Sequence, residues 1–321
     1  MILAFGDLHA DKSQLRVITV CNFLDYVINY CKEHKEITTV VNLGDTFHVS
    51  NSIRNECFVP VFMKFMELSK IVKIITLAGN HDVQNKDNDC LVETFSSFST
   101  FVKKTETISI DGNDYDFLSY TEDPTDIPNK SRVLFGHLEV ETFYYNPNRE
   151  ISQSSFIPDM FDQYSLVVSG HLHHEQHKGI FEFIGSPYPT NRGEGGKQNY
   201  FVIINGDTVN RIPYDDGPDY ITIEAEHFND KINYRNKIVT VKISQKVENF
   251  VKLRDILYDR GALEINPEFI REDTPALQEQ KVDTNEGVIK SAAKYISEVK
   301  NNKINNEKLL NCYKEVLKRI K

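Results

Sequence analysis

Short apolar runs, each closed by glycine or a polar loop and followed by residues at helical spacing, pattern the first half of the chain. Residues 2–5 are uninterruptedly apolar and stop at Gly6. From Ser13 to Cys31, apolar side chains at Val17, Cys21, Leu24, Ile28 and Cys31 recur at a helical interval, with Ser13 placed to cap the first turn. The unit repeats: a strand over 37–41, a helix over 56–68 and a strand over 71–77. Alternation of this kind predicts an α/β sandwich with buried strands. Further on, 105–110 and 115–120 flank Asp111-Gly112-Asn113-Asp114, a hairpin signal, and 132–135, 165–168, 181–184 and 200–204 add strands, so mixed sheets are expected.

A turn-rich break at Asp215-Asp216-Gly217-Pro218-Asp219 precedes two strands, 220–225 and 237–243, and a helix over 247–258. Residues 267–284 are polar, with Pro267 and Pro275 interrupting any helix, and read as a linker. A final helix over 305–321 sets Leu309, Leu310, Tyr313, Val316, Leu317 and Ile320 along one side. The expected division is 1–217, a small domain at 218–271, a linker at 272–284 and terminal helices at 285–321.

Composition narrows the class. The 321 residues include 37 basic and 47 acidic side chains, a net charge of −10 that argues against a surface gripping nucleic acid everywhere. No apolar stretch is long enough to span a membrane, and Asp7 arrives too early for a signal peptide. The five cysteines are odd in number and hold no C-x-x-C pair, as suits reduced thiols, so a cytoplasmic location is expected.

The chemistry sits in five loops, each just after a predicted strand: Asp7-Leu8-His9, Gly44-Asp45-Thr46-Phe47-His48, Gly79-Asn80-His81-Asp82, Gly136-His137 and Gly170-His171-Leu172-His173. Singly, Asp45 reads as a helix cap, Asn80 as a turn and His137 as a buried histidine. Jointly they do not, because His9, His81, His137, His171 and His173 are five of the chain's ten histidines. Mixed His, Asp and Asn donors suit Mn, Fe or Zn.

In this order the five loops resemble the signature of the calcineurin-like metallophosphoesterases over roughly residues 1–205. Within that superfamily, residues 44–48 and 79–82 are similar to the SbcD-type subunits of DNA double-strand-break repair nucleases. Protein phosphatases typically read G-D-x-x-D-R-G and G-N-H-E at those places. Phe183-Ile184-Gly185-Ser186-Pro187 resembles the same nucleases, and residues 136–145 look most like the short phage recombination endonuclease subunit.

The resemblance implies a four-layer α/β/β/α sandwich with a small α+β capping domain and C-terminal helices. It implies two divalent metal ions, Mn2+ foremost: Asp7, His9, Asp45 and His173 around one, and Asp45, Asn80, His137 and His171 around the other. Two such ions against Asp7 and Asp45 leave a first shell of about +2 inside an acidic protein. His81 would be the general acid, with Asp82 orienting it. His48 would stand in the catalytic site, supporting a ligand or facing DNA, while His174 and His177 are expected on the surface. The implied activity is duplex exonuclease and single-strand endonuclease, with DNA, an SbcC-type coiled-coil ATPase and a second copy of the chain as partners. The alternative is a metallophosphoesterase acting on nucleotides or phosphoproteins.

Overall fold

The computed structural model describes residues 1–48, 53–83, 90–229, 231–244, 250–270 and 308. The chain divides into two compact units, 1–270 and 271–321. The linker expected at 272–284 and the helices expected at 285–321 lie outside the described residues, Lys308 apart.

The chain begins β1 (Ile2–Phe5), α1 (Gln14–Glu33), β2 (Thr39–Asn42), α2 (Asn55–Leu68), β3 (Lys73–Leu77) and β4 (Thr100–Val102). It continues with β5 (Thr105–Ile110), β6 (Asn113–Leu118), β7 (Val133–His137), β8 (Tyr144–Asn146), β9 (Arg149–Glu150) and β10 (Leu166–Gly170). Next come β11 (Gln176–Lys178), β12 (Phe181–Phe183), β13 (Tyr200–Asn205) and β14 (Thr208–Pro213). Last in the first unit are β15 (Asp219–Glu224), β16 (Lys237–Ile243), α3 (Phe250–Asp259) and β17 (Glu264–Phe269).

Two six-stranded mixed sheets, ordered β14-β13-β1-β2-β3-β4 and β11-β12-β10-β7-β6-β5, pack face to face. Side-chain alternation along a strand sends its residues into two different cores. Leu3 and Phe5 of β1 join Phe23 and Leu24 of α1 and Phe65 of α2, whereas Ile2 and Ala4 meet Phe117, Phe135 and Val168 between the sheets. A strand buried on both faces has no polar side to show, which is why 2–5 is an unbroken apolar run. Helix α1 starts where its cap requires, the Ser13 side chain accepting from Arg16 N at 3.4 Å.

The fold is the expected α/β sandwich, with one difference in its fourth layer. The outer face of the second sheet, at Leu134, Val167, Phe181 and Phe183, is covered by Phe143, Phe156 and Phe161 from the segment 138–164. Among the described residues that segment holds the β8–β9 hairpin and a short 3-10 helix, Pro158–Phe161, and no α-helix.

A separate sheet, β15-β16-β17, is parallel throughout and shares its own core with α3, around Val239, Val241, Leu253, Leu257 and Tyr234. Its last strand runs through Pro267, beyond the point where the composition turns polar; an edge strand tolerates the missing N–H. Two of its basic residues are spent internally, Lys237 on Asp219 at 2.9 Å and Arg254 on Asp255 at 2.9 Å. Among the described residues, no helix is long and apolar enough to cross a membrane.

Candidate metal centre

All five motifs lie at the carboxyl ends of strands: loops after β1, β2 and β3 in one sheet, and in the other Gly136-His137 as the last two residues of β7 and His171-Leu172-His173 just after Gly170, the last residue of β10. The first two loops are zipped together by backbone bonds, Asp7 N to Gly44 O at 3.0 Å and His9 N to Asp45 O at 2.9 Å. Their turns are costly. Asp7, His9, Asp45 and His171 all have positive φ, four of the eight such non-glycine residues among those described. A left-handed backbone at a non-glycine residue costs about 1–3 kcal/mol and persists only where the surroundings impose it. Gly79 permits the closest approach, since a Cβ there would lie 2.1 Å from Asp45 Oδ1.

The donors converge around Asp45, which is buried, as are Asp7, His9 and His137. Its Oδ2 lies 3.6 Å from His9 Nε2 and its Oδ1 3.6 Å from His137 Nε2. On one side His9 Nε2 and His173 Nε2 stand 2.8 Å apart, and Asp7, His9 and His173 bring their ligand atoms within 4.8 Å of one another. On the other, Asn80 Oδ1 lies 3.0 Å from His137 Nε2 and 2.9 Å from His171 Nδ1. Asp7, Asp45 and His137 form a second group within 4.8 Å, and His9, His48 and His81 a third.

What fixes the imidazoles is partly outside the motifs. His137 donates Nδ1–H to Leu43 O at 2.8 Å, leaving the Nε2 lone pair for the centre. His173 donates Nδ1–H to Glu194 at 2.8 Å, and His171 donates Nε2–H to Glu139 at 3.3 Å. Each partner decides which nitrogen faces inward, the usual arrangement behind a metal-binding histidine. Glu194 belongs to no motif and Glu139, though inside the 136–145 stretch, has no role there that sequence alone assigns; their separations of 21 and 32 residues from the histidines they hold leave no local spacing to read.

His48 sits beside His9, with Nδ1 to Nδ1 at 3.1 Å, and its ring stacks on His81 at 4.4 Å. The His81 ring also meets His9 edge-on at 5.0 Å and, among the described residues, makes no hydrogen bond. Asp82 acts on backbone instead of on that ring: its carboxylate accepts from Gly79 N at 3.0 Å, Phe47 N at 3.1 Å and Thr46 N at 3.3 Å. It therefore binds the second loop to the third. Of the histidines outside the motifs, His177 is exposed and pairs with Glu182 at 3.0 Å, and His174 is half-buried, 3.4 Å from Lys197 Nζ.

Electrostatically the centre lacks positive charge. Burial, with the like charges of Asp7 and Asp82, pushes the Asp45 carboxyl well above its ordinary value, and burial also raises Asp7. Burial and the neighbouring imidazoles hold His9 and His137 well below theirs, and bring His81 down to about 4. His173 is the exception: burial opposes its charge, but Glu194 and Asp7 outweigh it and raise the imidazole. Two buried carboxylates with converging nitrogen and oxygen donors fit divalent cations in kind and placement.

Comparison with known proteins agrees. The family model for the calcineurin-like phosphoesterases matches residues 1–175, and the chain belongs to that family of metal-dependent hydrolases. No curated protein matches it. Among solved structures it is similar to a protein of unknown function from Aquifex aeolicus, with 15% identity over 56% of this chain and 82% of that one, at a TM-score of 0.28. It is also similar to a single mutant of Vps29 from Entamoeba histolytica, with 14% identity over 67% of this chain and 99% of the other, at 0.32.

Proposed function

We propose that this chain is the two-metal DNA nuclease subunit of an SbcCD-type repair and recombination complex. It cuts phosphodiester bonds, as an exonuclease on duplex ends and an endonuclease on single strands, under an SMC-like ATPase. The observation that carries the reading is the shared carboxylate of Asp45, one oxygen toward His9 and the other toward His137. Support for DNA as substrate comes from the sequence of residues 44–48, 79–82, 136–145 and 183–187, and from a separate three-stranded sheet where a capping domain would lie.

Asp7, His9, Asp45 and His173 would hold one cation, Mn2+ for preference, and Asp45, Asn80, His137 and His171 the other. The bound cations supply positive charge for the phosphate oxygens and make water acidic enough to attack near neutral pH. The protein's own groups do the rest. Glu139 and Glu194 keep the His171 and His173 lone pairs aimed inward. His81 lines the same cleft as Asp45 and Asn80; its lowered imidazole is neutral in the empty cleft, and an anionic phosphodiester beside it would raise it so that it can give a proton to the leaving oxygen. His48 sets the His9 tautomer and braces the His81 ring. The segment 285–321 would dock on the ATPase, and α1 and α2, which leave Ile18, Val59 and Met63 exposed, would pair two copies of the chain.

The test is digestion of end-labelled linear duplex DNA in Mn2+, with and without the ATPase, comparing wild type with His81→Gln. Shortening by wild type and none by a variant that still binds Mn2+ is the expected result. Hydrolysis of a small phosphodiester with no cutting of DNA in either condition would reassign the chain to nucleotides or phosphoproteins.

A further inference from the structure

We propose that the β8–β9 hairpin builds a subsite for the substrate strand, in which Arg149 grips a phosphate beside the one being cleaved. The inference rests on the nuclease reading above and says where the flanking single strand runs. Arg149 and Tyr145 line the same cleft of about 390 Å3 as Asp45, Asn80 and His81. The Arg149 guanidinium carbon stands 4.7 Å from the centroid of the Tyr145 ring, and among the described residues Arg149 has no ion-pair partner. The arginine is exposed in a chain of net charge −10, and after the His171 bond it is one of the groups that hold the Glu139 carboxyl below its ordinary value. Its planar fork is the side chain best shaped for phosphate oxygens.

The hairpin is tied to the metal wall, so the arginine is held in place. The Tyr145 hydroxyl donates to Glu139, and the same carboxylate takes the Nε2–H of His171 at 3.3 Å. Tyr144 N donates to Gln176 Oε1 at 2.9 Å, and Gln176 Nε2 donates back to Tyr144 O at 2.7 Å. A continuous path therefore links the guanidinium, through Tyr145 and Glu139, to a donor of the centre. On the other side of Glu139 a second cleft carries Glu122 and Glu141, which turn an anionic strand away and toward Arg149.

The experiment is binding of a fluorescein-labelled single-stranded oligonucleotide, read by anisotropy across a salt series in EDTA, where no strand is cut. Wild type is compared with Arg149→Ala, Arg149→Lys and Tyr145→Phe, and Mn2+ calorimetry checks that each variant keeps its centre. Arg149→Ala should weaken binding about tenfold and lower the slope of log affinity against log salt by about 0.7, the loss of one phosphate contact. Arg149→Lys should keep the slope, and Tyr145→Phe, which frees the hairpin from Glu139, should weaken binding while keeping the slope. Wild-type binding and cutting with an unchanged Arg149→Ala slope would overturn the subsite and leave the nuclease reading standing. A wild type that neither binds nor cuts DNA would overturn both. Should Arg149→Ala lose its centre, Arg149→Lys decides: a slope lost with Mn2+ binding intact refutes the phosphate contact.

Discussion

The Nδ1 of His173 donates to Glu194 across 2.8 Å, and that bond turns the other ring nitrogen toward His9. Glu194 is buried and well supplied: Thr190 N reaches it at 2.6 Å, and the Thr190 hydroxyl at 2.9 Å. Burial opposes its charge, yet these bonds and the one from His173 keep its carboxyl below the ordinary range. It is thus an ionised positioning residue, fixed before any cation arrives. Glu194→Ala should weaken Mn2+ binding about 10–100-fold. It should also cost about 1–3 kcal/mol through the donors left unpaired. Glu194→Gln, which keeps one acceptor oxygen for His173, should lose less. Calorimetric titration of the three proteins with Mn2+ separates them, and wild-type affinity in the alanine variant would refute the positioning role.

Asp45 predicts a trade between metal and stability. In the metal-free protein its folded pKa is raised, so its ionisation works against the fold: the contribution to stability is full below about 3.8 and is lost as pH rises. Asp45→Asn removes that burden and can still accept from His81 N, which lies 2.8 Å from Oδ1. In EDTA the variant should therefore melt at or above wild type, with a gap that widens from pH 4 to neutrality. With Mn2+ the order should reverse, because only wild type gains from binding. Melting curves in EDTA and in Mn2+ across that range check both signs; a variant that melts lower than wild type in EDTA at pH 7 would contradict the argument.

Why the histidines were legible and the glutamates were not follows from where the information sits. Asp7, His9, Asp45 and Asn80 follow strands whose apolar runs end in or near glycine, so the place of each loop is written locally. The helices announced themselves by their buried spacing, as Val17, Leu24 and Ile28 do in α1. Glu139 is a single carboxylate in irregular chain and Glu194 ends a three-residue 3-10 helix, and only tertiary folding brings them to His171 and His173. The direction of a side chain is likewise absent from a motif: Asp82 follows His81, yet its oxygens turn back to three backbone amides. Edge strands were missed for a related reason. In β14 only a partial core face alternates with exposed polar residues, and in β17 most residues are exposed, so neither shows an apolar run.

Two glycines should behave oppositely under the same substitution. Gly79→Ala places a Cβ 2.1 Å from Asp45 Oδ1 and 2.3 Å from Asp45 N, so the bridging carboxylate must move. Such crowding costs about 1–3 kcal/mol and should abolish binding of at least one cation. Gly112, at the tip of the β5–β6 turn, has φ +83, and a methyl group added there would meet nothing within 4 Å. Gly112→Ala should cost about 1 kcal/mol through backbone conformation alone and leave Mn2+ stoichiometry at the wild-type value. Urea denaturation and Mn2+ titration of both variants test the contrast, and equal effects on the metal would remove the steric explanation.

The third sheet has an acid-sensitive tie to the loop that carries Glu194. Asp219 accepts from Gly196 N at 2.8 Å and Tyr220 N at 2.8 Å, and takes the Lys237 ammonium at 2.9 Å. Burial opposes the charge, but these partners hold the carboxyl below its ordinary value of 3.8. A depressed carboxyl contributes stability that is present above the unfolded pKa and lost as pH falls through the folded one. The pair is partly exposed, so after solvent screening it contributes about 1 kcal/mol. Asp219→Asn should cost that much at pH 7, and the difference from wild type should begin to shrink as pH falls below 3.8 and vanish only below the depressed folded value, where the protonated aspartate and the asparagine offer the same uncharged oxygen. Urea titrations at pH 7, 5 and 3 measure it. A difference that persists undiminished at pH 3 would assign the effect to packing and not to the carboxylate charge.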